Sequence, residues 1–262
     1  MKEMAKINPK TRSGRAQYLR NTRRIKKKIE RRFSASIRYL FRRQVASIKR
    51  VTSKGDPARA EAAAKMVVDY YAPQMRKVFL KYYTFAARQA ARNSIAHLKG
   101  IKQESTVDNF IAHFVEAETA RKVKHINFYT KYRIRLAVEK GIKDGLGEPE
   151  IAKLIREVAP RIMSPQRSLT IARTEVHTAF EEATRAVAAD LPAEIEKTWL
   201  ATIDGRVRDA HAAMHGKTVR KNGTFTLYSN SGFPVEMQGP GDIDAPAELV
   251  INCRCTIIFV PK

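Results

Sequence analysis

The sequence predicts an α+β fold that is mostly helical: long basic N-terminal helices followed by a small C-terminal α+β module with an antiparallel sheet. Three observations predict it. Apolar residues recur every three or four positions from Ile25 to about Ala189. From Lys197 onward the texture changes to short β-like runs separated by Gly- and Pro-rich stretches. Charge is also uneven. Residues 1–50 hold 18 Lys/Arg against 2 Asp/Glu, a net of +16; residues 51–140 stand at +9 and residues 141–262 at −1. The expected organisation is therefore a basic flexible arm over 1–24, a basic helical region over 25–140 and a neutral module over 141–262.

The arm interleaves cations with Asn8, Pro9, Ser13 and Gly14, shows no apolar period, and is expected to be disordered when free. From Ile25 a stripe of Ile29, Phe33, Ile37, Leu40 or Phe41, Val45 and Ile48 marks one long amphipathic helix. Asp56 and Pro57 form an N-cap and first-position pair for a second helix, which Ala72-Pro73 should break. Met75, Val78, Phe79, Tyr82, Tyr83, Ala86 and Ala90 carry a third helix to near Gly100. A fourth covers about 107–145, and a short one covers Glu148–Val158. Ser164-Pro165 opens another that runs to about Ala189. Next come a strand at Lys197–Thr202 and about two helical turns at Asp209–His215, stopped by Gly216. Lys217–Arg220 and Thr224–Tyr228 are expected to pair as a hairpin around Lys221-Asn222-Gly223. Residues 229–247 read as loop, and Leu249–Val260 as a terminal strand.

A net charge of +24 on 262 residues favours a polyanionic partner. Arg12, Arg15, Arg20, Arg23, Arg24, Lys26, Lys27, Lys28, Arg31, Arg32, Arg42 and Arg43 are the candidate DNA-phosphate ligands, giving salt-sensitive and sequence-independent binding. No apolar run is long enough to span a membrane, and no signal-peptide pattern is present. With two cysteines, Cys253 and Cys255, one residue apart, a disulfide framework is excluded.

Two constellations carry chemistry. In the first, Arg173-Thr174-Glu175 lies on a helix with His177. Arg173 and Glu175 point to different faces, which suits a polar cluster tying the helix to the sheet better than an acid/base pair. In the second, His211 and His215 are four apart, and Cys253 and Cys255 alternate on an expected strand. No cofactor is firmly implied; a His2Cys2 set of this kind would suit structural zinc, which is the candidate. Asp204 and Asp209 beside the histidines keep a metal-dependent nuclease open. No convergent carboxylate set, phosphate loop, or nucleophile with its base can be named, so an enzyme is not expected.

The order of these motifs is similar to the F-like head morphogenesis family, named for phage Mu, whose members are minor capsid proteins of tailed phages. The matching pieces are Arg173-Thr174-Glu175, Trp199, Asp204, Arg206, His211, Gly216, Pro246 and Asn252-Cys253-Arg254-Cys255, with Gly141–Ile155 resembling the entry segment. The resemblance covers roughly 140–260. It implies a structural role for Arg173, Glu175, Trp199, Asp204, Arg206, Gly216, Asn252 and Arg254. Many members carry C-x-x-C where this chain has Arg208 and His211, and a His shortly before the final CRC. Here the ligand set narrows to His211, Cys253 and Cys255 with His215 as the fourth candidate. Alternatively, Arg208, Asp204 and Asp209 form a salt-bridge network in place of the metal.

The resemblance further implies a virion component that assembles in the host cytoplasm and sits inside the capsid near the portal. Its expected partners are the portal protein, the major capsid or scaffolding protein, and packaged double-stranded DNA, with no membrane. A DNA-acting or toxin-like enzyme and a cellular nucleic-acid-binding protein are the competing readings. Deleting residues 1–50 is expected to abolish DNA binding and leave the C-terminal module folded.

Overall fold

The computed structural model describes residues 7–95, 108–189 and 194–261. The first 6 residues of the expected arm, and the segment between the third and fourth helices, lie outside them. Helix α1 spans Arg12–Lys54, α2 Ala60–Tyr70 and α3 Ala72–Ile95; then come α4 Glu116–Lys143, α5 Glu148–Ile162 and α6 Pro165–Ala189. A π-helical turn at Ile111–Val115 leads into α4. Strand β1 is Ile195–Leu200 and α7 is Asp209–Ala212; β2 is Thr218–Arg220, β3 Phe225–Tyr228 and β4 Pro234–Met237; α8 is Ala247–Val250 and β5 is Thr256–Pro261. The fold is mostly helical α+β with a small antiparallel sheet in the C-terminal region.

The chain divides into two units. The first gathers residues 1–30, 82–115 and 173–262; the second gathers 31–81 and 116–172. Helices α1, α3 and α6 contribute to both.

In the first unit, β5 and β2 flank β1 antiparallel, with Trp199 opposite Ile257 and Lys197 opposite both Phe259 and Val219. Every residue of β5 up to Val260 is buried because the strand is covered on both faces. Ile257 and Phe259 pack with Trp199, Phe225, Leu227, Met237 and Leu249. Ile258 and Val260 face the other way, with Leu200, Ile7 and Tyr18. This second cluster corrects the expected flexible arm. Residues 12–24 are the first turns of α1, and Tyr18 is only 1% exposed. An aromatic ring with a sheet face to cover outweighs the local polarity of the segment.

Two more expectations are corrected. Arg220 and Phe225 are not hairpin partners: β2 joins β1, while β3 pairs with β4, a strand inside the expected loop. Gly223 N–H donates to Arg220 O (2.9 Å), so the Lys221-Asn222-Gly223 turn exists but passes the chain between two sheets. Nor is 249–260 one strand. Asn252 takes a left-handed backbone (φ 60°), which cuts the segment into α8 and a shorter β5.

In the second unit, Phe33 meets Phe79 edge-on at 4.8 Å. Arg167 binds Thr130 Oγ1 (3.0 Å), Ile126 O (3.1 Å) and Ile162 O (3.1 Å), and lies over the Phe41 and Tyr129 rings. Asp56 caps a 3-10 turn over Pro57–Arg59 that precedes α2, with Ala58 N–H donating to Asp56 Oδ1 (3.0 Å), and at the start of α6 Arg167 N–H donates to Ser164 Oγ (3.2 Å). The helix expected at Glu148–Val158 continues to Ile162 with Pro160 inside it.

Candidate functional site

The site lies in the first unit, where α7 and the bend before β5 meet. The left-handed turn at Asn252 lets Cys253 and Cys255 both point inward, each about 3% exposed. His211, on the single turn of α7, is buried against them, its ring edge-on to Trp199 at 5.5 Å. His211 Nδ1 is 3.5 Å from Cys253 Sγ and 3.5 Å from Cys255 Sγ, and all three ligand atoms lie within 4.8 Å of one another. The hydrogen bond from Cys253, joined by that to His211, pulls the Cys255 thiol down, while burial pushes the Cys253 thiol up. His211 Nε2 is buried with no partner among the described residues.

These separations suit a zinc ion. A sulfur at about 2.3 Å and an imidazole nitrogen at about 2.0–2.1 Å, at the tetrahedral angle, lie about 3.5 Å apart. The three residues therefore fit three places of a tetrahedral site. His215 does not join them. The helix ends at Ala212, so the four-residue spacing no longer shares a face, and His215 Nδ1 accepts from Ala201 N–H (3.1 Å).

Arg173 and Thr174 brace this bend. Arg173 Nη1 donates to Asn252 Oδ1 (3.1 Å), and Asn252 N–H donates to Thr174 Oγ1 (3.1 Å). Glu175 turns away and accepts from Tyr83 Oη. Arg254 is doubly bonded to Asp204, which holds that carboxyl down at about 2. Arg208 donates to Ile251 O, and Arg206 is exposed. Gly216, at φ +82°, sends its N–H to Trp199 O (2.8 Å).

Beneath the cysteines lies a buried network that sequence reasoning divided between other roles. Lys26 is 4% exposed; it pairs with Glu181 and hydrogen-bonds His177 Nδ1 (3.0 Å) and Cys255 O (3.4 Å). Glu181 also accepts from Thr256 Oγ1 (2.7 Å) and Ile257 N–H (3.2 Å). This corrects the placing of Lys26 among the phosphate-binding cations: it faces inward. Arg15 is half-buried and donates to Pro9 O (2.8 Å). Arg12, Arg20, Arg23, Arg24, Lys27, Lys28, Arg31, Arg32, Arg42 and Arg43 are exposed. Lys197 was missed; it is buried on β1, donates to Gln238 O (2.8 Å) and is lowered by burial to about 8. The signal was a lysine amid the apolar positions of its strand.

Residues 132–258 match the family described as Phage Mu protein F like protein. The match covers 127 of this chain's 262 residues. Two curated proteins are similar as well. The NAD(+)--arginine ADP-ribosyltransferase EFV of Enterococcus faecalis is 34% identical over 161 residues, 58% of this chain and 31% of that protein. The minor head protein GP7 of Bacillus phage SPP1 is 28% identical over 131 residues, 48% of this chain and 40% of that protein. The chain thus spans less than half the length of either relative. No solved structure matches it. Among the described residues, no helix is long and apolar enough to cross a membrane.

Proposed function

We propose that the protein is a non-enzymatic minor head protein of a tailed phage, docked at the portal vertex inside the capsid with packaged DNA against its basic helix. Its partners are the portal protein and, beyond it, the major capsid or scaffolding protein. The observation that carries this reading is the family match over 132–258, with a phage minor head protein among the relatives. The geometry agrees. Arg173, Glu175, Asp204 and Arg254 are each engaged in bracing the fold, as a structural role requires. His211, Cys253 and Cys255 would hold a zinc ion that pins α7 to the β5 bend.

The test is a pull-down of tagged protein from phage-infected cells, with a nuclease-treated control and mass spectrometry of partners. Nuclease-resistant recovery of portal protein is expected. Recovery of nucleic acid alone, lost after nuclease, overturns the head assignment. The Enterococcus relative favours one second reading, transfer of ADP-ribose to arginine. Incubation with labelled NAD and an arginine-rich acceptor tests it; incorporation of label would replace the non-enzymatic reading.

A further inference from the structure

A cavity of about 500 Å³ in the first unit opens beside Cys253, between α1, the start of α6 and the loop carrying Arg206. Its deeper cations are already neutralised. Lys26 is paired with Glu181, Arg173 has Glu30 at 3.7 Å, and Arg254 is bonded to Asp204. Its outer cations are not. The side chains of Arg23, Arg24, Lys27 and Arg206 are exposed and make no hydrogen bond or ion pair among the described residues. Arg23 and Arg24 each lie about one turn before Lys27 on α1. Arg206 arrives from a separate segment, 47 residues before Cys253.

We infer that this cavity is a phosphate-binding site that receives the backbone of duplex DNA, gripped between α1 and the loop bearing Arg206. The inference deepens the DNA-contact reading and rests on it. A surface helix with scattered cations binds phosphates wherever they pass. A concavity with unpaired cations on two walls concentrates the field and fixes the position of the strand. Guanidinium groups suit the task, since each presents a fork of donors to two phosphate oxygens. The paired floor holds the rim in place without offering its own cations to the ligand. Arg206 is thereby given a binding role, in addition to the structural role that the family resemblance implied.

The experiment uses the full-length chain and a labelled random-sequence 30-base-pair duplex, with anisotropy followed across a salt series. Arg206→Glu and Arg24→Glu are compared with Lys217→Glu, an equal charge change at an exposed position of the same unit, outside the cavity. Far-UV circular dichroism checks that each variant is folded. The expected result is a loss of tenfold or more at 100 mM salt for each cavity variant, with a salt slope shallower by about one phosphate. Lys217→Glu should change affinity less than threefold. If wild type binds and all three variants weaken equally, the cavity is not a site, although DNA contact stands. If wild type shows no salt-dependent affinity, the DNA reading itself fails. Inorganic phosphate and pyrophosphate are titrated separately by thermal shift. A shift lost in Arg206→Glu, with no duplex binding, assigns the cavity to a small phosphate and overturns the DNA assignment.

Discussion

Lys26 and Glu181 form a buried ion pair whose partners cannot be removed one at a time. Lys26→Met leaves the Glu181 carboxylate 0% exposed and without its cation, and should cost about 3–5 kcal/mol in chemical denaturation. The double variant Lys26→Met/Glu181→Gln should recover a large part of that loss. A double-variant loss equal to the sum of the Lys26→Met and Glu181→Gln losses would show that the pair is uncoupled. His177, beside Lys26, gives the site a pH dependence. Burial first, and then Lys26, hold its pKa well below the usual value, so it stays neutral in the fold. The unfolded chain takes up a proton near pH 6.5. The contribution of His177 is therefore complete above about pH 6.5 and is lost as pH falls towards the folded value, by about 1.4 kcal/mol per pH unit. His177→Gln should flatten stability between pH 6.5 and 5; an unchanged slope would place the titration elsewhere. For the metal, the purified protein should carry about one zinc per chain by elemental analysis, and a chelator should lower Tm. Cys255→Ser should abolish both effects. A Tm insensitive to the chelator, with no zinc found, leaves the three residues as a thiol–imidazole cluster.

At the scale of elements, α1 behaves as part of the fold and not as an appendage. Tyr18 closes one sheet face, and Asn93 Nδ2 donates to Thr22 Oγ1 at 2.9 Å. Deleting residues 1–30 should therefore unfold the C-terminal module, the reverse of what the sequence led one to expect. Tyr18→Ala alone should cost about 3–5 kcal/mol. A truncated protein that keeps its near-UV circular dichroism would reinstate the flexible arm. The contrast shows what was legible. The helices that carry a stripe every three or four residues, and the Asp56-Pro57 and Ser164-Pro165 starts, could be read because periodicity and caps are local. Lys26 could not be told from Lys27, since its burial depends on Glu181, 155 residues away. The β1–β2 and β3–β4 pairing also escaped, because the Asn-Gly turn signals a reversal and not which strand lies opposite. Three of the four metal candidates named from residue type, His211, Cys253 and Cys255, are brought together. His215 was lost because the spacing argument assumed a helix that stops at Ala212.

On the scale of the whole molecule, the charge of +24 sets how the protein meets its surroundings. Of the cations proposed for phosphates, Arg12, Arg20, Arg23, Arg24, Lys27 and Lys28 are exposed along one stretch of α1. If about five phosphates are neutralised, log Kd for duplex DNA should change with log salt by a slope of about 4 or steeper. A slope near one would mean that the charge serves solubility and not binding.

The same helix also has a history within synthesis. The groups that accept from Lys26 lie 155 and 229 residues downstream, and the strand that buries Tyr18 follows Cys255. Contacts of such long range form late and slowly. The first turns of α1, residues 12–30, thus leave the ribosome as a polycation whose apolar face at Tyr18 stays uncovered until β5 has been made.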